Sequence, residues 1–242
     1  MSFTNVFDVA FSKFEIHSFT SEILKNKFNK KIIVTPNVDH IVRLNKDANF
    51  RDIYLAADIF VNDSRILKFL SKLIRKPINS LIPGSDLTAF LFDKIATEYK
   101  GVKVAVIGGE ESVITKIKAK YQIHNIPHYN PPMGFHTDEA ELQKCIDLCK
   151  SADADIIFLA VGSPKQEIVA ARLRNENVNG CYLCIGASLL FLAGEEKRAP
   201  LFIQKIHCEW LFRLLQSPRR LAKRYLVDGL RIIPICIKEY FR

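Results

Sequence analysis

The sequence predicts an α/β fold, a mostly parallel sheet with flanking helices, extended by a C-terminal basic amphipathic helical appendage. Three observations carry that expectation. Short unbroken apolar runs recur through residue 196, as in strands buried on both faces of a parallel sheet. Each run leads into a segment of helical periodicity, the alternation of βα units. Beyond Pro200 the pattern changes to large apolar residues interleaved with arginines, as in EWLFRLLQSPRRLAKRYL.

The first unit is Lys31–Thr35 followed by a helix over Val38–Asn45. Between them lies Thr35-Pro36-Asn37, where Asn37 suits an N-cap and Pro36 the approach to a helix. Ile59–Val61 is the next run and gives way to Asn62-Asp63-Ser64-Arg65. Asp63 stands where it either caps the following helix or, with its carboxylate exposed at the sheet edge, acts as a general base. Val102–Ile107 leads through Gly108-Gly109, a tight strand-to-helix turn, into Glu110–Tyr121. Asn130-Pro131-Pro132-Met133-Gly134 is a loop by composition. Ile156–Val161 ends at Gly162-Ser163-Pro164 and delivers Lys165, Gln166 and Glu167 into the first turn of a helix through Asn175. In open α/β sheets ligands bind beyond the carboxyl ends of the strands, near helix N-termini, so this polar cluster is a site candidate. Gly180–Ile185 and Leu189–Ala193 make the last unit, and the remainder reads as two or three short helices broken near Pro218 and Pro234. The sheet is Rossmann-like, yet no strand is followed by GxGxxG: Gly108-Gly109 continues as Glu110-Glu111-Ser112, which argues against a dehydrogenase or methyltransferase.

At 242 residues and 48% hydrophobic, the chain supports one large core, or one core plus an appendage. No apolar run reaches the roughly 18 residues of a membrane span, and the N-terminus lacks the pattern of a signal peptide. The cysteines (Cys145, Cys149, Cys181, Cys184, Cys208, Cys236) are not spaced as a disulfide framework. Cys181 and Cys184 have CxxC spacing, but inside a strand they point to opposite faces, so reduced thiols and a cytoplasmic location are expected. Asp153-Ala154-Asp155 has the DxD spacing of metal-dependent sugar-nucleotide enzymes. It precedes the Ile156 strand, however, at the edge of the sheet away from Gln166, and is read as strand entry. The histidines (His17, His40, His124, His128, His136, His207) form no ligand pattern, so neither metal nor cofactor is expected.

The net charge of +9 is uneven: residues 197–242 hold 11 Lys/Arg against 3 Asp/Glu, a net +8, which leaves +1 for residues 1–196. That asymmetry points to a polyanionic partner. The interleaved apolar residues favour an anionic membrane surface over nucleic acid, with Trp210, Phe212, Tyr225 and Phe241 as interfacial anchors.

Segments along the chain, TPNVDHIVRLN (35–45), AADIFVNDSRIL (57–67), PGSDLTAFLF (83–92), VAVIGG (104–109), IIFLAVGSPKQE (156–167), IGASLLFLAGEEKRAP (185–200) and EWLFRLLQSPRRLAKRYL (209–226), resemble in sequence and order the bacterial WecG/TagA/CpsF glycosyltransferases. The resemblance implies a metal-independent, inverting transfer of an N-acetylmannosamine-like sugar or related hexose from a UDP-sugar. The implied acceptor is a sugar on undecaprenyl diphosphate at the inner face of the plasma membrane, in cell-surface polysaccharide or teichoic acid synthesis. It implies Asp63 as catalytic base, Thr35 and Asn37 as lining of the acceptor or donor pocket, Gln166 as a donor contact, and Arg213 and Arg220 as arginines closing over the site. Gly108, Gly162 and Lys165 join Gln166 at the donor by their position at strand ends. The chain departs from the family where Ser64-Arg65-Ile66 replaces a glycine-bearing stretch after Asp63. It departs again where Asn79-Ser80-Leu81-Ile82 lacks an arginine, and where Phe135 stands for a tyrosine. These changes fall on pocket walls and bear on which sugars are taken. The expected organisation is a catalytic domain over 1–196 and a membrane-associating, site-completing appendage over 197–242; a homo-oligomer is compatible with the sequence. The competing readings are a non-catalytic membrane-binding module and another nucleotide-dependent enzyme.

Overall fold

The chain opens on a hairpin that the sequence pattern did not announce. β1 (Phe3–Val6) and β2 (Val9–Ser12) pair antiparallel through Phe7-Asp8, both with positive φ (57° and 59°). Two-residue hairpins favour that conformation, usually with Asn or Gly; here Phe7 takes it while burying its ring in the core. The computed structural model describes residues 2–196, 200, 202–203, 209–216, 218, 222 and 229–242.

After α1 (Ile16–Leu24) the chain follows the expected βα alternation. The strands are β3 (Ile32–Val34), β4 (Ile59–Phe60), β5 (Val104–Ile107), β6 (His128–Tyr129), β7 (Ile156–Leu159) and β8 (Cys181–Cys184). The helices are α2 (Val38–Lys46), α3 (Ala48–Leu55), α4 (Arg65–Leu73), α5 (Gly84–Thr97), α6 (Glu111–Tyr121), α7 (Glu139–Ala152), α8 (Lys165–Asn175) and α9 (Ser188–Leu192). The eight strands form one sheet in the order β1-β2-β4-β3-β8-β7-β5-β6, parallel except for β1 against β2. The fold is α/β, as the alternation predicts.

Side chains of each central strand alternate between two apolar layers. Ile32, Val34, Ile157, Leu159, Tyr182 and Cys184 pack with α2, α3, α7 and α8 on one face. Ile33, Ile156, Phe158, Cys181 and Leu183 pack with α1, α5, α6 and α9 on the other. Cys181 and Cys184 therefore lie on opposite faces, as CxxC inside a strand requires. Asp155 is at the amino edge, where its carboxylate accepts the Lys103 backbone N–H at 2.8 Å and joins the entries of β5 and β7.

The topology makes one crevice. β3 feeds α2 on one face, and its neighbour β8 feeds α9 on the other, so the loops leaving these strands diverge. Such a switch point is where open α/β sheets bind ligands. Glu209–Gln216 and Ile232–Tyr240 are helical in the C-terminal segment. Pro234 does not break the latter: it sits in the first turn, where a missing N–H costs no helical hydrogen bond. Ile232 and Cys236 are buried in the same layer as α2, so the last helix belongs to the main core. No helix among the described residues is long and apolar enough to cross a membrane.

Candidate active site

The loop after β3 is built on Asn37. Its Oδ1 accepts the backbone N–H groups of Asp39 (3.1 Å) and His40 (3.4 Å), and its own N–H donates to His40 Nδ1 at 3.2 Å. This reciprocal cap satisfies otherwise orphaned donors at the start of α2. It also sets the imidazole: Nδ1 accepts, so the ring proton is on Nε2. The ring stacks on Tyr54, with centroids 5.0 Å apart.

The loop after β4 separates two roles that the sequence left open at one residue. Ser64 caps α4, its Oγ accepting the Leu67 N–H at 3.2 Å. Asp63 instead reaches across to α5, where its Oδ1 accepts the Gly84 N–H at 2.7 Å. A carboxylate is well placed at a helix N-terminus, where unpaired N–H groups concentrate positive potential. Fully buried Asn62 holds the two segments together: its amide donates to the Ser80 carbonyl, its carbonyl side chain accepts the Ser64 N–H, and its backbone oxygen accepts the Ile82 N–H. Thr35 closes the same corner. A Cβ at Gly84 would lie 3.3 Å from Thr35 Oγ1 and 3.4 Å from Ser188 Oγ, so glycine there allows the close approach.

On the other side of the crevice Gln166 is almost fully buried in the first turn of α8. Its Oε1 accepts the Gly186 N–H at 3.0 Å and its Nε2 donates to Glu167 Oε1 at 2.9 Å, which fixes the amide between the β7 and β8 loops. Burial raises the carboxyl of Glu167, only 2% exposed, above its ordinary value, with hydrogen bonding and the nearby Arg43 charge opposing. Burial, and then the charge of Glu167, also holds the Tyr54 hydroxyl protonated. Arg43 packs its guanidinium over the Phe50 ring at 4.0 Å and donates to the Ser163 carbonyl at 3.3 Å.

These groups surround one cleft of about 690 Å³ at the carboxyl edge of the sheet, within the usual range of about 300–1,000 Å³ for small-molecule sites. Thr35, Asn37, Asp63, Gly162 and Gln166 line it together. Gly108 and Lys165 do not. Gly108 follows β5, separated from the β3–β8 crevice by β7. Its φ of +94°, and the 2.7 Å at which a Cβ would meet Val161 Cγ1, assign the glycine to the turn. Lys165 is next to Gln166 in sequence but about 100° away around the helix. Arg213 falls within the Glu209–Gln216 helix, but its side chain, like all of Arg220 and Tyr225, lies outside the described residues. Trp210, Gly229, Leu230 and Ile232 bring the C-terminal segment to the cleft wall.

His40, Arg43 and Ser188 also line the cleft and were missed as site residues, while Arg65 was noted only as a charge beside Asp63. A signal for two of them was present: His40 and Arg43 are three residues apart on one face of a helix whose N-cap was already singled out. Among the described residues, no group of three or more His, Cys, Asp and Glu side chains is arranged to hold a metal ion.

An N-acetylglucosaminyldiphosphoundecaprenol N-acetyl-beta-D-mannosaminyltransferase of Bacillus spizizenii is 29% identical over 217 residues, covering 88% of this chain and 81% of the relative. The description of the glycosyl transferase WecG/TagA/CpsF family matches residues 4–242. The chain is a glycosyltransferase and belongs to the WecG/TagA/CpsF family.

Proposed function

We propose that this enzyme transfers N-acetylmannosamine from its UDP-activated form to N-acetylglucosamine carried on undecaprenyl diphosphate, with inversion and without a metal. The observation that best supports this reading is the placement of Asp63. Its carboxylate lines the cleft, and one oxygen is fixed by the Gly84 N–H at 2.7 Å. An inverting displacement needs a base on the acceptor hydroxyl, in line with the departing diphosphate, and a carboxylate of fixed orientation suits that task.

The leaving diphosphate needs positive charge. In this reading guanidinium groups supply it, because they meet phosphate oxygens with a planar fork of donors. Arg43 and Arg65 line the cleft from the body, and Arg213 and Arg220 belong to the C-terminal segment. Gln166, with its amide fixed by Gly186 and Glu167, holds the donor sugar, and Thr35 and Asn37 border the same volume. Residues 1–196 act as the catalytic unit. Residues 197–242 act as a peripheral anchor on the inner face of the plasma membrane that completes the site there.

The test is release of UDP from a panel of UDP-sugars with a lipid-diphosphate-linked N-acetylglucosamine analogue as acceptor. Acceptor-dependent release with UDP-N-acetylmannosamine is expected. Release that is equal with and without acceptor, or confined to another sugar, refutes this assignment of the reaction.

A further inference from the structure

We propose that α4 and the Ile232–Tyr240 helix together form a docking face for an anionic lipid surface, so that the catalytic body itself, and not only the basic C-terminal segment, touches the membrane. Phe69 and Leu73, one turn apart on α4, are 49% and 59% exposed. No acidic residue occurs from Arg65 to Lys76, while Lys68, Lys72, Arg75 and Lys76 flank the two apolar side chains. Burial and the like charges of Lys72 and Arg65 all work against protonation of Lys68, so positive charge is crowded on this helix.

The last helix repeats the pattern. Ile233 and Ile237 are 52% and 55% exposed on the side away from buried Ile232 and Cys236, and Phe241 just beyond is 82% exposed. Two contacts tie the turn that ends α4 to the last helix: the Arg75 guanidinium lies 5.6 Å from the centre of the Tyr240 ring, and Lys76 pairs with Glu239 at 2.8 Å. The acidic groups at this junction are already engaged, Glu239 with Lys76 and Asp8 with Arg51 and Arg242. Apolar side chains rimmed by cations match an interface where acyl chains lie beneath anionic headgroups. A second copy of the same face would set like charges against each other.

The face also adjoins the site. α4 starts two residues after Asp63, its Ile66 lines the cleft, and so do Leu230, just before the last helix, and Ile232, its first residue. A face that seats here would present the cleft to an acceptor held in the same bilayer; that consequence rests on the proposed function, whereas the docking itself does not.

The experiment is co-sedimentation of the full chain with vesicles of phosphatidylcholine alone or mixed with phosphatidylglycerol. Binding is expected only with the anionic lipid. Phe69→Ser/Leu73→Ser, which removes the buried apolar contact, and separately Lys68→Gln/Lys72→Gln, which removes charge facing the headgroups, should each weaken it at least about tenfold. Turnover of the Phe69→Ser/Leu73→Ser variant on a water-soluble acceptor analogue should stay within about twofold of wild type, the scale of a substitution outside the site. As a readout independent of affinity, Leu73→Trp in a Trp210→Phe background should be quenched by brominated acyl chains. Wild-type binding by both α4 variants with no quenching at position 73 would overturn the proposal. So would a concentration-dependent dimer in sedimentation velocity that the Phe69→Ser/Leu73→Ser variant abolishes. Lipid binding that depends on α4 in a chain that transfers no sugar would support the docking face and refute the proposed reaction alone.

Discussion

Replacing Asp63 in two ways separates its chemical role from its structural one. In the Asp63→Asn variant the side-chain oxygen still accepts the Gly84 N–H, now held at 2.7 Å by a carboxylate. The cost to stability is then the loss of one charge at a helix N-terminus, about 0.3–1 kcal/mol. In Asp63→Ala the buried Gly84 N–H loses its acceptor, which costs about 1–3 kcal/mol. A general base contributes about 10²–10⁴ to the rate, or about 2.7–5.4 kcal/mol of barrier at 1.36 kcal/mol per tenfold. Both variants should therefore lose at least two orders of magnitude in kcat, while only Asp63→Ala melts several degrees lower. The assay is acceptor-dependent UDP release at saturating donor, beside thermal unfolding. If Asp63→Asn keeps more than about a third of wild-type kcat, well short of the about 10² expected for a lost base, Asp63 is a strut for α5 and the catalytic reading fails.

Other outcomes follow from the same geometry. Arg43→Lys gives up the planar stack on Phe50 and the forked approach to phosphate; about a tenfold loss in kcat/KM with little change in melting is expected, and an unchanged value removes Arg43 from the site. Burial raises the Glu167 carboxyl above 4.5 in the native state, so its contribution to stability is complete below that pH and is lost as pH rises through the native value. Glu167→Gln mimics the protonated form, so its Tm relative to wild type should climb from pH 4 toward neutral; a gap that is constant with pH contradicts this. Burial pushes the Cys145 thiol to about 12 and the Cys236 thiol to about 11, and raises Cys149, Cys181 and Cys184 as well. Native protein at pH 8 should therefore show these five thiols unreactive toward a disulfide reagent until it is unfolded, and rapid labelling of Cys181 or Cys184 would refute their burial.

The βα rhythm was legible because fully buried parallel strands leave a contiguous apolar run that surface elements do not. β7 and β8 could be read off directly. The β1–β2 hairpin could not, since its turn puts Phe7 rather than Asn or Gly at positive φ, and two four-residue strands, one largely exposed and one largely buried, are too short to show a period. Thr35, Asn37, Asp63 and Gln166 could each be read as standing at a strand end, and the structure brings them together because β4, β3, β8 and β7 are adjacent in the sheet. Gly108 stands at a strand end too but does not line the cleft, since β5 lies beyond β7 in the sheet and strand order is not written in the local sequence. Asp63 shows a further limit. As the residue just before Ser64 it reads as a helix cap, whereas its hydrogen bond runs to Gly84, 21 residues on. His40 and Arg43 were hidden for a different reason, since the polar face of an amphipathic helix reads as solvent-facing until a second wall, here the β7–α8 loop, is set against it.

The most direct test of the account is the structure of the product. The chain would be incubated with UDP-α-N-acetylmannosamine and a lipid-diphosphate-linked N-acetylglucosamine, and the lipid-linked disaccharide analysed by mass spectrometry and anomeric NMR. The account predicts one added N-acetylhexosamine in β linkage, formed at undiminished rate in the presence of a metal chelator. An α-linked product, or no lipid-linked disaccharide from a folded chain, would contradict it.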